Sequence, residues 1–218
     1  NPYRDWYIWH DGKTNKRVPN NWQSRFGGSG WTWDESSEQF YFHMFCKGQP
    51  DLNWRNSEVR HAILDMMDFW LRKGVDGFRL DVFNAYYKDL LYKNNPSKPG
   101  LAGFDRQKHL YDIDQPEMIP LLTEMRRLLD SYPDRYVIGE TFMADPARAA
   151  SYSNEDALHA TFDFSFLEHG FKPKGFYHSI QQWERLLAEQ SWPNYVLNNH
   201  DVPRSASRYA HGEKDDRL

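Results

Sequence analysis

Three carboxylates stand at the ends of short apolar runs that lie far apart in the chain. Asp81 closes GFRLD, Glu140 closes VIGE, and Asp201 follows YVLNNH. Two carboxylates on opposite sides of a glycosidic bond can act as nucleophile and general acid, and a retaining arrangement holds them roughly 5–5.5 Å apart. A third carboxylate can pair with sugar hydroxyls. Close like charges also raise the pKa of one carboxyl group, which favours a protonated acid near neutral pH.

Each of these residues also has a plainer structural interpretation. An acidic side chain at a strand end often caps a helix or lies in a solvated turn. Arg79 lies on the same strand face as Asp81, where it either holds that carboxylate ionised or forms an ordinary salt bridge. His200, beside Asp201, either donates to a sugar hydroxyl or has a structural role. The chemistry therefore depends on a fold that brings the carboxylates together.

The segments around the carboxylates alternate between strand-like and helix-like patterns. The predicted strands are 76–82, 136–141, 159–166 and 195–199, and the predicted helices begin at Ser57, near Ile119 and at Tyr177. Residues 1–56 show no sustained period and are interpreted as an irregular, polar excursion. Alternating strands and helices predict a parallel sheet with helices outside it. Because the carboxyl ends of parallel strands share one edge, the three carboxylates are expected to converge there.

The length of the chain limits how such a sheet can close. A closed eight-stranded barrel needs eight strands and about 250 residues. The chain has 218 residues, and we count four central strands in it. The sheet is therefore either open or a piece of a larger barrel, and the second alternative leaves unpaired sheet edges in the isolated chain.

Composition excludes several classes of partner. With 27 Lys and Arg against 31 Asp and Glu, the formal charge is −4, and the chain lacks the basic excess of a nucleic-acid binder. No apolar run approaches the roughly 20 residues of a membrane span. The histidines have no paired spacing and Cys46 stands alone, so we expect no metal and no other cofactor. Aromatic residues make up 17% of the chain, which suits either a sugar-binding cleft or a Trp-rich core.

Four sequence segments resemble the signatures of a known enzyme family. DGFRLDV at 76–82, GETF at 139–142 and NNHDVPR at 198–204 resemble, in order, three signature segments of the α-amylase family of glycoside hydrolases. QPDLN at 49–53 resembles the segment that marks its oligo-1,6-glucosidase and α-glucosidase branch. The resemblance covers essentially the whole chain.

The resemblance implies a fold and a division of the chain. It implies a partial (β/α)8 TIM barrel that contains strands 4–7 with their helices. Residues 1–56 would belong to the loop domain inserted between strand 3 and helix 3, and residues 57–218 to the central part of the catalytic barrel. The remainder of the barrel and a C-terminal β domain would be missing from this chain, so we expect the isolated chain to be inactive.

The resemblance also implies roles for individual residues. Asp81 matches the catalytic nucleophile, Glu140 the general acid/base, and Asp201 the carboxylate that stabilises the transition state. The further residues with implied substrate contacts are Arg79, His200, Phe142 and Arg204. The implied reaction is a double displacement with retention of configuration.

Three features of the sequence, compared with the family's pattern, bear on the implied activity. The family's first signature segment would precede Asn1. Asn84 and Ala85 replace the Lys-His pair that calcium-dependent α-amylases carry after the nucleophile, which disfavours endo-acting starch hydrolysis. Val82 resembles the residue found in members that act on α-1,6 bonds, although a β-branched residue is equally at home in a strand.

We therefore expect an exo-acting retaining α-glucosidase that hydrolyses the α-1,6 or α-1,4 bonds of oligosaccharides or disaccharides. The same site could instead support transglycosylation or sucrose isomerisation, because both reactions share the glycosyl-enzyme. A non-catalytic relative, such as the heavy chain of an amino-acid transporter, is the alternative from another class, but such chains commonly lose the carboxylates. The absence of a secretory signal favours a cytoplasmic enzyme, with secretion as the alternative.

Overall fold

The computed structural model describes residues 1–101 and 103–209. These residues fall into two units, each compact by its own contacts. The first unit comprises Asn1–Val75 and Val82–Leu121, and the second comprises Asp76–Asp81 and the described residues from Leu122 onward. The predicted domain division after residue 56 stays a prediction.

The first unit contains a small antiparallel sheet where the sequence predicted irregular structure. Its strands are β1 (Trp9–His10), β2 (Trp31–Asp34) and β3 (Gln39–Phe42), in the order β1-β3-β2. Strands of two to four residues are too short to show a period of two, which explains the wrong prediction. Aromatic rings hold the sheet together, since the ring of Trp22 stacks on Trp31 at 6.2 Å and meets Phe42 edge-on at 5.4 Å.

The helix α1 (Ser57–Arg72) begins where the sequence predicted it. The side chain of Asn56 accepts a hydrogen bond from the backbone N–H of Glu58 and so caps the first turn. The helix ends before Gly74, whose φ of 94° suits a residue without a Cβ atom. Its buried side chains are Val59, Met67 and Leu71.

The second unit is built on a parallel sheet. Its strands are β4 (Gly77–Leu80), β5 (Tyr136–Gly139) and β6 (Ala160–Thr161), in that order. A single parallel bridge between Asp163 and Tyr195 adds a fourth segment. The predicted strand 159–166 is cut to two residues because the Asp163 carboxylate accepts from the N–H of Ser165 and turns the chain into the short helix α4 (Ser165–Glu168).

Helices accompany this sheet as the alternating pattern predicted. They are α2 (Met118–Asp130), which crosses the division between the units, α3 (Pro146–Ser151), α5 (Pro173–Leu186) and α6 (Ser205–Tyr209). The helix α5 begins four residues before the predicted start because Pro173 occupies its first turn, a position that proline favours. Trp183 of α5 is buried against Ala149 and Ala150 of α3.

Candidate active site

The register of β4 and β5 places two acidic residues at one end of the sheet. Leu80 is paired with Gly139 in the parallel ladder. The ladder continues by one bond, since the backbone N–H of Glu140 donates to the carbonyl of Leu80 over 2.9 Å. Asp81 and Glu140 therefore leave neighbouring strands side by side, at the carboxyl edge where the sequence predicted their convergence.

The guanidinium of Arg79 joins these two carboxylates. Its Nη1 atom donates to Oδ1 of Asp81 over 2.7 Å, and its Nη2 atom donates to Oε2 of Glu140. The two carboxylates differ in their environment, because the Glu140 side chain is 13% exposed and that of Asp81 is 73% exposed. One cation thus fixes a largely buried carboxyl group and an open one next to each other.

The electrostatic environment separates the two carboxyl groups further. Burial raises the pKa of Glu140, and this effect exceeds the lowering by the positive charge of Arg79. The charge of Asp81, a hydrogen bond with the Asp81 carboxyl and the charge of Asp201 raise the pKa of Glu140 as well. Glu140 therefore keeps its proton to higher pH than an ordinary glutamic acid, as a general acid requires.

The third predicted carboxylate lies within electrostatic range of the pair. The charge of Asp201 raises the pKa of both Glu140 and Arg79. Its backbone N–H donates to the side-chain oxygen of Asn199, and its Oδ2 atom lies 3.6 Å from Nε2 of His200. The side chains of His200 and Asp201 are 75% and 62% exposed, so this part of the site is open.

Two further predicted residues flank the site in sequence. Phe142 is partly buried two residues after Glu140. Arg204 is exposed and directly precedes α6. Its backbone carbonyl accepts a hydrogen bond from the N–H of Arg208 within that helix. Their substrate contacts stay predictions, as do the catalytic roles of the carboxylates.

Val82 adopts a conformation that the alternating sequence pattern did not predict. The pattern through DGFRLDV suggested that the strand continues to residue 82, but β4 ends at Leu80. Val82 has φ 43° and ψ 38°, in the left-handed region, and precedes the 3-10 turn Phe83–Ala85. A β-branched residue in this region is strained, and such strain concentrates at functional sites.

The QPDLN segment contributes a buried ion pair that sequence reasoning missed. Oδ2 of Asp51 lies 3.1 Å from Nζ of Lys88, and the Lys88 side chain is only 1% exposed. Lys88 also donates to the carbonyl of Ala85, while Oδ1 of Asp51 accepts from the backbone N–H of Met44 over 2.8 Å. Both charges thus have polar partners within the first unit.

The described residues contain neither a membrane-spanning helix nor a cluster of metal ligands. Over residues 1–101 and 103–209, no helix is long and apolar enough to cross a lipid bilayer. In the same residues, no three His, Cys, Asp or Glu side chains are grouped so that they could hold a metal ion.

Comparison with known proteins decides the family. The family model described as "Alpha amylase, catalytic domain" matches residues 1–217. The chain belongs to the α-amylase family. This α-amylase-family chain is 36% identical, over 99% of its length, to a probable alpha-glucosidase of Rhizobium meliloti, of which it covers 41%. It is 37% identical, over 96% of its length, to an oligo-1,6-glucosidase of Parageobacillus thermoglucosidasius, of which it covers 39%.

A solved structure agrees with this assignment. The crystal structure of the alpha-glucosyl transfer enzyme XgtA matches the α-amylase-family chain with a TM-score of 0.92 and 37% identity, covering 99% of this chain and 42% of that one. The predicted fold is confirmed, because the chain has the fold of part of the (β/α)8 catalytic barrel of this family. It spans about two fifths of the length of the curated relatives that it matches.

Proposed function

We propose that the protein containing this chain is a retaining, exo-acting α-glucosidase that hydrolyses short α-glucosides. The observation that carries the proposal is the single guanidinium of Arg79, which holds Asp81 and Glu140 together at the carboxyl edge of a parallel sheet. Two adjacent carboxyl groups, one of them with a raised pKa, are what glycoside hydrolysis requires. The names of the Rhizobium meliloti and Parageobacillus thermoglucosidasius relatives support the substrate class.

The proposed reaction has two steps. In the first, a carboxylate oxygen of Asp81 attacks the anomeric carbon while Glu140 gives its proton to the leaving oxygen, and the glycosidic bond breaks. In the second, Glu140 takes a proton from water, which attacks the anomeric carbon and releases Asp81. Asp201 would hold ring hydroxyls in both steps. Two inversions at one carbon leave the configuration unchanged.

The environments of the carboxyl groups suit these roles. A nucleophile must be ionised and reachable, and Asp81 is open to solvent and bound to a cation. A general acid must hold a proton at working pH, and the burial of Glu140 raises its pKa. The exposed side chains of His200 and Asp201 lie where a sugar could reach them.

Transfer of the glucosyl group to another sugar, including sucrose isomerisation, is the alternative use of the same site. It is favoured by the similarity to XgtA, which is described as an alpha-glucosyl transfer enzyme. The two reactions differ only in whether water or a sugar hydroxyl intercepts the glycosyl-enzyme. Analysis of the products formed by the whole protein from sucrose, maltose and isomaltose separates them.

The decisive experiment removes the nucleophile from the whole protein. Asp81→Asn should lower kcat on maltose or isomaltose by several orders of magnitude, because the glycosyl-enzyme can no longer form. Proton NMR of the first product should show the α-anomer. The matched control is Asp76→Asn, on an exposed carboxylate that precedes the same strand, and it should leave kcat unchanged. Full turnover by Asp81→Asn, or a β-anomeric product, would contradict the proposal.

A further inference from the structure

The segment that directly follows the proposed nucleophile is a buried turn. Asp81 is joined by one peptide bond to Val82, and the next residues form the 3-10 turn Phe83–Ala85. The carbonyl of Val82 accepts a hydrogen bond from the N–H of Ala85 over 3.0 Å, so the turn starts at the residue after the nucleophile. Asn84, in the middle of the turn, is 0% exposed.

Asn84 is bound to Asp114 by two hydrogen bonds. The backbone N–H of Asp114 donates to the carbonyl of Asn84 over 2.7 Å. The side-chain Nδ2 atom of Asn84 donates to Oδ1 of Asp114 over 3.1 Å. The two residues are 30 positions apart, so the pair ties the turn after the nucleophile to the end of the long connection that precedes α2. Asn84 is also one of the two residues that replace the Lys-His pair of calcium-dependent α-amylases.

The backbone conformation of Val82 needs support from its surroundings. Its φ of 43° and ψ of 38° lie in the left-handed region, which a β-branched residue adopts only at an energetic cost. Conformations of this kind persist where the surrounding structure holds them. Asp114 is also left-handed, with φ 56°, but aspartate tolerates this region better. The strained residue is therefore Val82, and the hydrogen bonds of the turn that follows it oppose its relaxation.

The position of the Asp81 carboxylate depends strongly on this backbone. The side chain is 73% exposed, and its contacts are with Arg79 and Glu140 of the same site. The strand β4 ends at Leu80, so Asp81 lies between the last residue of the sheet and the left-handed Val82. A displacement of a reacting group by about 1 Å can lower a rate about 100-fold.

We propose that Asn84 and Asp114 are positioning residues. Their side-chain hydrogen bond holds the left-handed turn at Val82 and so keeps the Asp81 carboxylate directed at the anomeric carbon. Neither residue touches the substrate in this proposal. The inference rests on the proposed glucosidase activity and deepens it, because it gives a function to the strained residue that follows the nucleophile.

The test replaces Asp114 by glycine in the whole protein. Glycine adopts a φ of 56° without strain, so Asp114→Gly keeps the backbone N–H bond to Asn84 and removes the side-chain acceptor. The measured step is labelling by a 5-fluoro-α-glucosyl fluoride, in which a carboxylate oxygen of Asp81 bonds to the anomeric carbon and fluoride leaves. Intact-mass spectrometry follows the labelled fraction with time. We expect the labelling rate, and kcat/KM on maltose, to fall about 10–100-fold.

Two matched variants separate positioning from general effects of the substitution. Asp114→Asn keeps a side-chain oxygen that accepts from Asn84, and asparagine tolerates the left-handed backbone, so it should be labelled at nearly the wild-type rate. Asp134→Gly is the control for the change to glycine, because Asp134 has the same φ of 56° but is exposed in the turn before β5. It should also be labelled at the wild-type rate. Melting temperatures check that every variant is folded.

A variant of the other partner keeps the inference testable if Asp114→Gly does not fold. Asn84→Ala removes the donor of the same hydrogen bond and should give the same loss. Labelling of either folded variant at the wild-type rate would overturn the inference, as would an equal loss in Asp114→Asn or Asp134→Gly. Wild-type protein that is neither labelled nor active on maltose would overturn the proposed function itself, and this inference with it.

Discussion

Two clusters of charged side chains in this molecule differ in how completely their charges are paired. In the first unit, Lys88 and Asp51 form a closed pair in which the ammonium group also meets a backbone carbonyl and the carboxylate also meets a backbone N–H. In the second unit, Arg79 bridges Asp81 and Glu140, with the charge of Asp201 acting on both Arg79 and Glu140. One cluster balances its charges, and the other gathers three carboxylates around one cation.

The difference shows how a structural charge pair can be told from a reactive one. A buried pair stabilises the fold only when every donor and acceptor is matched, which leaves nothing over for a ligand. The Arg79 cluster leaves negative charge unmatched and open to solvent at Asp81, while burial raises the pKa of Glu140. Unequal environments for two adjacent acids are a sign of acid and base roles rather than of stability.

The strongest test of this comparison is the removal of the proposed general acid in the whole protein. Glu140→Gln keeps a hydrogen-bond acceptor for Arg79 but has no proton to give to a leaving oxygen. We expect kcat on maltose to fall by about 10²–10⁴-fold, the usual contribution of general acid catalysis. Steady-state kinetics on maltose and on an aryl α-glucoside with a good leaving group measure the effect.

The aryl substrate provides the control within this experiment. Its leaving group needs little protonation, so kcat/KM, which reports the first step, should fall much less on the aryl substrate than on maltose, whereas kcat should still fall because Glu140 also activates water in the second step. The melting temperature should change little, since the cluster is proposed to be reactive rather than structural. Equal losses of kcat/KM on both substrates, or a large drop in the melting temperature, would show that Glu140 acts mainly by holding the fold.

The pair of Lys88 and Asp51 is expected to contribute to stability rather than to catalysis. Lys88→Met removes the partner of Asp51 and leaves a carboxylate that is 17% exposed without its counter-charge. Breaking a buried pair in this way costs about 3–5 kcal/mol. Urea denaturation of wild type and variant measures the free energy of unfolding. We expect the double variant Lys88→Met with Asp51→Leu to regain part of the loss, because no unpaired charge remains.

A surface pair in the same unit is the matched control for this prediction. Nζ of Lys16 lies 3.3 Å from Oε2 of Glu35, but both side chains are well exposed. Such pairs contribute about 0–1 kcal/mol, so Lys16→Met should scarcely change the free energy of unfolding. If Lys16→Met and Lys88→Met destabilised the protein equally, burial would not distinguish the two pairs.

The sequence predicted the cluster around Arg79 better than the pair of Asp51 and Lys88, and there is a physical reason. A parallel sheet places all its carboxyl ends at one edge, so strand assignment alone predicted that Asp81 and Glu140 converge. The pairing of Asp51 with Lys88 depends on how two loops pack, which no periodic pattern records.

The sequence pattern predicted the ends of two strands wrongly. The alternation in DGFRLDV extended through Val82, yet the chain turns left-handed at that residue. The predicted strand at 195–199 is reduced to one bridge, at Tyr195. In both places the backbone departs from the preference of β-branched and aromatic residues for strands, which depends strongly on context.

The pH dependence of the proposed activity, measured on the whole protein, compares Arg79 with a cation outside the candidate active site. Burial raises the pKa of Glu140, and Arg79 opposes this by favouring the ionised form. Arg79→Gln removes the opposing charge, so the pKa of Glu140 should rise further. Because the general acid must be protonated in the free enzyme, the alkaline limb of kcat/KM should move to higher pH, whatever the fall in the maximum rate. Arg135→Gln is the control, because Arg135 pairs with Asp76 just before β4 and β5 begin, and its loss should leave the limb in place. A limb that moves to lower pH in Arg79→Gln would mean that Glu140 is not the proton donor.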